Sequence, residues 1–511
     1  MDMLLLSIII LTGIIEAIWG MMQLYDLRSS QHSLFKITGS FFNPGPFAGY
    51  LAVIFPLALH FLLESDNRHS PVKSDNKIRT FFSFLQPLIY KWLGGIACIA
   101  IILVLPASMS RASWLAAIAG SIVVLVRPKK GIAVLNKNYF SFKKKGVKIF
   151  VFIMVFCLTV VAFTGIYYLK KDSADGRMLT WKVSLTAIVQ NPLGVGLGNF
   201  PSAYGEVQAA YFASGNASEA EEYLAGNPEY GFNEFLQIGI ESGIVSLLLF
   251  IGMLVCAFRG LVVAKHWGVM GALVALLVFA CFSYPFSVLP FLLIFVFLLA
   301  MSSAFSAQNR HNSEDKKSAF IRSIRVICVP SVCMIFTLIC LWKQYPVYGA
   351  YKFWKSNQVY YQSGMYKEVV QNYEPLYHYL DDQIKFLFEY GRSLSMTEQP
   401  EKSNIVLHRA MQISCDPMLY NIMGKNYQAL KKYDLAEENF RKASLIVPNR
   451  IYPYYLLMLM YVDAGDKKKA KAAARIVLTK EPKVMSTAVE EMRKEAKQIE
   501  NSSSFSEEKK N

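Results

Sequence analysis

From its first residues to about position 343 the chain alternates long apolar runs with short polar connections, and then the pattern changes. A bilayer core about 30 Å thick needs about 20 apolar residues of helix. Runs near that length predict helices close to 3–25, 47–63, 88–107, 112–126, 149–169, 240–258, 267–283, 286–303 and 325–343. The first is expected to stay as a helix rather than be cleaved, because no basic leader precedes it and Glu16 and Trp19 stand where a short apolar region should end. The expected fold class is all-α, with a polytopic membrane bundle of about nine transmembrane helices over 1–343 and a second helical region behind it.

After Lys343 the apolar positions fall at amphipathic spacing in helices about a dozen residues long, and a period of 34 appears. From Pro417 the marks are Tyr420, Gly424, Tyr427, Ala436, Phe440, Ala443 and Pro448. They recur as Tyr454, Tyr461, Ala470, Ala474 and Pro482, with Met458 at the Gly position. A looser copy over 384–416 carries Gly391, Leu407 and Ala410, and a degenerate one starts near Tyr351. These residues resemble tetratricopeptide repeats, in which small residues let paired helices cross closely, aromatics fill the groove beside them and Pro ends the second helix. The expectation is a repeat-type α-solenoid over 351–484 and a charged, disordered tail over 485–511. Such a solenoid either binds a protein partner or serves as a spacer.

Composition agrees with a membrane protein: 54% of residues are apolar and the mean hydropathy is +0.30. The net charge of +16 does not indicate nucleic acid, since Lys and Arg stand between apolar runs and form no continuous face. Basic residues resist translocation. Arg68, Lys73, Lys77 and Arg79, then the cluster from Arg127 to Lys148, then Arg259 and Lys265, and finally the residues from Arg310 to Arg325 therefore mark cytoplasmic loops. The N-terminus is then expected in the cytoplasm, with both the 170–239 segment and everything after 343 on the other side of the membrane. Seven of the eight cysteines lie in apolar stretches and only Cys415 lies outside, so neither a disulfide framework nor a metal site follows.

The 170–239 segment is far longer than the other connections on its side, and segments of that length are usually functional or disordered. Its aromatics, Gly-rich turns and helical patterns predict order. GVGLGNF, at 194–200, has the composition of a phosphate-cradling loop, but no strand precedes it, and it is read as turn glycines at a membrane surface.

Four stretches together resemble the O-antigen ligase and polymerase-like membrane glycosyltransferases: GSFFNPGPFAGYLAVIFPLAL from Gly39, SMSRASWLA from Ser108, GRMLTWKVSLTAIVQNPLGVGLGNF from Gly176 and FNEFLQIGIESGIVSLLL from Phe232. The resemblance covers roughly 1–305. It implies transfer of a glycan from an undecaprenyl pyrophosphate carrier to an acceptor hydroxyl at the periplasmic face, without metal, nucleotide or other cofactor. The acceptor is a lipid A core, a growing glycan or a protein.

Charge that develops on a departing diphosphate calls for fixed cations. Arg111 and Arg177 are the candidates. Arg111, beside Ser108 and Ser110, is alternatively an interfacial anchor; Arg177 stands at a helix start near Trp181, which is taken as a substrate contact. Asn43 forms a turn with Pro44 and Gly45 that either opens a helix or touches the donor. Asn233, Glu234, Gln237 and Glu241 make a polar row at the end of the long segment, with helix capping by Asn233 as the plainer alternative.

Two departures stand out. Family members often have a His just before that Asn, proposed to activate the acceptor; here the position is Phe232, and no His occurs between His69 and His266. A carboxylate, Glu229 or Glu234, takes the base role, or no base is needed, or the chain is inactive. Members also commonly carry several helices ahead of the Gly39 stretch, where one is found here. The readings that remain are a lipid-linked glycan transferase and, from another class, a non-catalytic scaffold presenting repeats. A transporter is disfavoured, since no pair of broken helices or buried ion-binding carboxylates is evident.

Overall fold

A computed structural model describes residues 2–64, 77–126, 171–310 and 317–501. Helices α1 (Asp2–Leu24), α2 (Pro44–Glu64), α3 (Lys77–Val104) and α4 (Arg111–Val126) precede three helices of the long segment, α5 (Lys171–Gln190), α6 (Phe200–Ala213) and α7 (Glu219–Leu224). Then come α8 (Glu234–Ala264), α9 (Trp267–Ala280), α10 (Leu289–Arg310) and α11 (Lys317–Gln362). The remainder is α12 (Tyr366–Tyr373), α13 (Tyr377–Leu380), α14 (Ile384–Met396), α15 (Pro400–Met411), α16 (Pro417–Ala429), α17 (Tyr433–Ile446), α18 (Tyr452–Asp463), α19 (Lys467–Thr479) and α20 (Thr487–Asn501). No strand occurs among the described residues.

Two compact units emerge. One comprises Met1–Ala174, Gly231–Phe235 and Val245–Glu314; the other comprises Asp175–Tyr230, Leu236–Ile244 and Asp315–Asn511. The long segment thus joins the C-terminal helices in a single unit.

In the first unit α2 is the central helix, packed against α1, α3, α4 and α9. Its small residues explain the position: a Cβ on Gly49 would lie 2.3 Å from the Phe279 ring, and Gly120 of α4 and Gly271 of α9 meet backbone to backbone beside Pro56. Where lipid offers no hydrophobic drive between helices, such small-residue contacts let backbones approach and gain dispersion energy. Outward faces stay apolar. Leu4, Ile8, Ile96, Ile99, Leu248 and Leu249 are all exposed, a surface that suits lipid and not water.

Among the described residues, four helices are long and apolar enough to span a membrane, and three shorter apolar helices accompany them, Arg111–Val126, Trp267–Ala280 and Leu289–Ser303. The helix expected at 149–169 lies outside the described residues, as do the basic residues from Arg127 to Lys148. The helix expected at 325–343 does not stop at Lys343. It belongs to α11, a 46-residue helix about 69 Å long at 1.5 Å per residue, which carries the chain past Tyr351 without a turn. Pro346 within it removes one backbone hydrogen bond and does not end it.

In the second unit α14 pairs with α15, α16 with α17 and α18 with α19. The glycine marks explain the tight crossings: a Cβ on Gly391 would lie 2.7 Å from Leu407, and one on Gly424 would lie 2.5 Å from Phe440. The tail differs from expectation. Residues 487–501 form α20, which packs on α19 and α18 with Ala496 fully buried. Val489, Met492, Ala496 and Ile499 share one helix face, a stripe that polar neighbours hide in a composition count.

Candidate functional site

Three of the four stretches singled out in the sequence meet at one end of the first unit. Gly20 of α1 sits between Phe47, at the start of α2, and Val104, at the end of α3, at 2.5 and 3.0 Å from its notional Cβ. The opening turn of α2 is therefore on the same side as Arg111, seven residues beyond Val104. Phe279, at the end of α9, lies over Gly49, and the Phe291 ring packs on Phe41 and Tyr50. That brings the 281–291 turn to the same end, and Glu234 is hydrogen-bonded to it.

The polar groups at this end hold backbone. Asn43 Oδ1 accepts the Gly45 amide at 2.9 Å and fixes the turn into α2. Asn233 Oδ1 accepts the Phe235 amide at 3.0 Å, so the capping alternative describes its geometry. Glu234 is only 3% exposed, and its carboxylate accepts the Phe286 amide at 2.6 Å. Ahead of the cap, Phe232 has a positive φ of 48°, rare for an aromatic residue, and its ring meets Tyr284 edge-on at 5.7 Å. Arg111 is the first residue of α4, after Met109 at φ 52°. A cation there gains nothing from the helix dipole, which favours negative charge at that end.

The fourth stretch, from Gly176, proves to be the partner of the one from Phe232. Gly243 breaks α8 with φ 83° and ψ 172°. Into this break fits the 191–199 turn: the Val195 amide donates to Ile240 O, the Gly196 amide to Glu241 O and the Ile244 amide to Pro192 O, each at 2.9 Å. Gly194, Gly196 and Gly198 all have positive φ. GVGLGNF is thus a docking turn. The Glu241 carboxylate accepts a 3.4 Å bond from Gln237 and faces the backbone of Gly198 and Phe200. Asn199 at the start of α6 makes no side-chain cap, and the negative charge of Glu241 on α8 stands near that helix end, where the dipole favours it. Gly243 carried no mark in the sequence reading; the missed signal was a Gly in the middle of an apolar helix.

Arg177 and Trp181 stand one turn apart on α5, partly buried on one face. At the far end of the segment Glu229 is exposed and borders a cavity of about 600 Å³ with Tyr230, Asp382, Lys385, Phe388 and Asp416. Cys415 also lines it, and burial pushes its thiol up to about 12, which leaves no thiolate nucleophile near neutral pH. Among the described residues no group of three His, Cys, Asp or Glu side chains is placed to hold a metal.

Residues 96–251 match the family model of the O-antigen ligases. The matched span contains Arg111, Arg177, Trp181, Glu229, Asn233, Glu234, Gln237 and Glu241, and omits Asn43 and the C-terminal helices. The O-antigen ligase match, together with the membrane-type helices, supports glycosyl transfer of the ligase or polymerase kind and a lipid-linked glycan substrate. No curated protein and no solved structure matches the chain.

Proposed function

We propose that the chain moves a glycan from an undecaprenyl pyrophosphate carrier to an acceptor hydroxyl at the periplasmic face of the inner membrane, with Arg111 and Arg177 stabilising the departing diphosphate. The observation that carries this is the convergence of the Asn43 turn, Arg111 and the Phe232–Glu234 corner on one end of a bundle, the last two of them within the O-antigen ligase match. The bond from the sugar anomeric carbon to the diphosphate oxygen breaks, the acceptor oxygen bonds to that carbon, and its proton passes to a base. Glu229 is the carboxylate we assign to that task, because Glu234 already binds a backbone amide and Glu241 is bonded to Gln237. Trp181, Gln237 and Asn43 remain as substrate contacts, and the acceptor is a lipid A core, a growing glycan or a protein. The charge pattern of the loops supports a cytoplasmic N-terminus and periplasmic C-terminal repeats, which we read as tetratricopeptide-like.

A second reading, a non-catalytic scaffold, draws on Phe232 standing where the family often has His. Complementing a deletion strain separates the two. Arg111→Ala and Arg177→Ala are expected to lower transfer about 10²–10³-fold, the loss usual for one charge-stabilising donor. Wild-type glycan from both variants would leave the scaffold. Cysteine labelling of 175–230 in intact cells checks the side of the membrane.

A further inference from the structure

The repeats need not wait for an outside partner, because one is already seated on them. We propose that the surface of the α16–α19 repeats has the chain's own 200–230 segment as its partner, and that this clamp positions the segment for glycan transfer. The proposal rests on the transferase reading above for the word transfer, and on geometry for the clamp.

Asn449, in the turn after α17, is 7% exposed, and its Nδ2 donates toward the carbonyls of Glu222, Tyr223 and Ala225 at 3.2, 2.9 and 2.9 Å. These are carbonyls at the end of α7, which α7 itself leaves unsatisfied. From the other side Gln208 of α6, fully buried, donates from Nε2 to Gly226 O at 2.7 Å and to Ile446 O of α17 at 2.5 Å. The Tyr204 hydroxyl in turn donates to Gln208 Oε1 at 2.5 Å and fixes the amide orientation. Packing closes around these bonds. Gly205 of α6 lies against Cys415 so tightly that a Cβ would sit 2.0 Å from the cysteine Cβ. Ion pairs Glu206–Lys442 and Glu222–Lys480 stand on either side.

A buried amide that donates to several carbonyls of another segment is not a spacer feature. It is costly to leave unsatisfied, so its selection argues for a fixed mutual placement. The repeats lie outside the O-antigen ligase match and the segment inside it. An appended module therefore holds a part of the matched domain, which makes Asn449 and Gln208 positioning residues.

The test uses the purified full chain, lipid-linked glycan from the same cells as donor and membranes of the deletion strain as acceptor. Asn449→Asp keeps the shape but removes the donors. It is expected to speed amide exchange at 219–226 at least tenfold, lower kcat about tenfold and leave the donor KM within twofold. Asn449→Ser, with one donor, recovers part of both effects. The control is Asn421→Ala, another buried Asn of the same repeat, whose Nδ2 meets Met418 Sδ of its own helix and no atom of the segment.

Unchanged exchange in Asn449→Asp overturns the clamp. Faster exchange with unchanged kcat overturns the positioning role, and so does an equal loss of kcat in Asn421→Ala. If Arg177→Ala keeps full transfer while Asn449→Asp still shows the exchange and kcat changes, the catalytic reading fails and the clamp stands.

Discussion

Gly243 and Leu193 touch backbone to backbone: a Cβ added to Gly243 would lie 2.5 Å from the Leu193 carbonyl carbon. Two stretches some 50 residues apart are joined there, one ending a Gly-rich turn and the other breaking an apolar helix. The contact also settles what the glycines of 194–198 do. The Val195 and Gly196 amides bond a helix of the same chain, and the positive φ angles of the glycines shape the turn that presents them.

Gly243→Ala should therefore destabilise the protein by about 1–3 kcal/mol, from the strained φ and the clash together. Thermal unfolding in detergent checks this, with faster proteolysis at 191–199 as the local sign. An unchanged Tm would mean that the turn is not seated as described.

Glu234 offers a way to tell holding from chemistry. Its carboxylate, 3% exposed, binds the Phe286 amide at 2.6 Å. Glu234→Ala should cost about 1–3 kcal/mol by leaving that amide unsatisfied, whereas Glu234→Gln keeps a carbonyl acceptor and should cost less. If Glu234→Gln folds with a wild-type Tm yet transfers no glycan, the residue has a chemical role beyond the bond seen here.

The segment should also respond to acid in one direction. Partial burial raises the Glu221 pKa, but Lys182, the Ser218 amide and Tyr211 outweigh it and bring the carboxyl down to about 2 from its ordinary 4.5. A depressed carboxyl stabilises the fold above its unfolded pKa, and the contribution fades as pH falls from about 4.5 toward 2. Lys182→Met should thus have a slightly lower Tm than wild type at pH 7, with the difference shrinking below pH ~4.5. A difference that grows in acid would reverse the assignment.

Gly424 and Phe440 should be coupled. Gly424→Ala forces a Cβ to within 2.5 Å of the Phe440 ring and should cost about 1–3 kcal/mol. In a Phe440→Leu background the same change should cost less by about 1 kcal/mol, since the shorter side chain makes room. Additive effects in that double-mutant cycle would show that the helices of this pair do not cross where described.

The one-dimensional pattern was enough for what depends on spacing. Apolar runs marked α1–α4 and α8–α10, and Gly424 with Phe440 marked a helix pair, because helical period and close crossing leave their trace residue by residue. The capping alternative for Asn233 was legible for the same local reason. Contacts across the chain were not. Neither the role of Glu241 at the start of α6, nor the seat of 191–199 against Gly243, nor the bonds from Asn449 to 222–225 has a sequence signature, since each joins residues far apart whose types are ordinary alone. Of the two carboxylates offered as base, Glu234 was assigned to a backbone amide only by burial and distance. A sequence lists donors and acceptors; the tertiary structure decides which of them are already occupied.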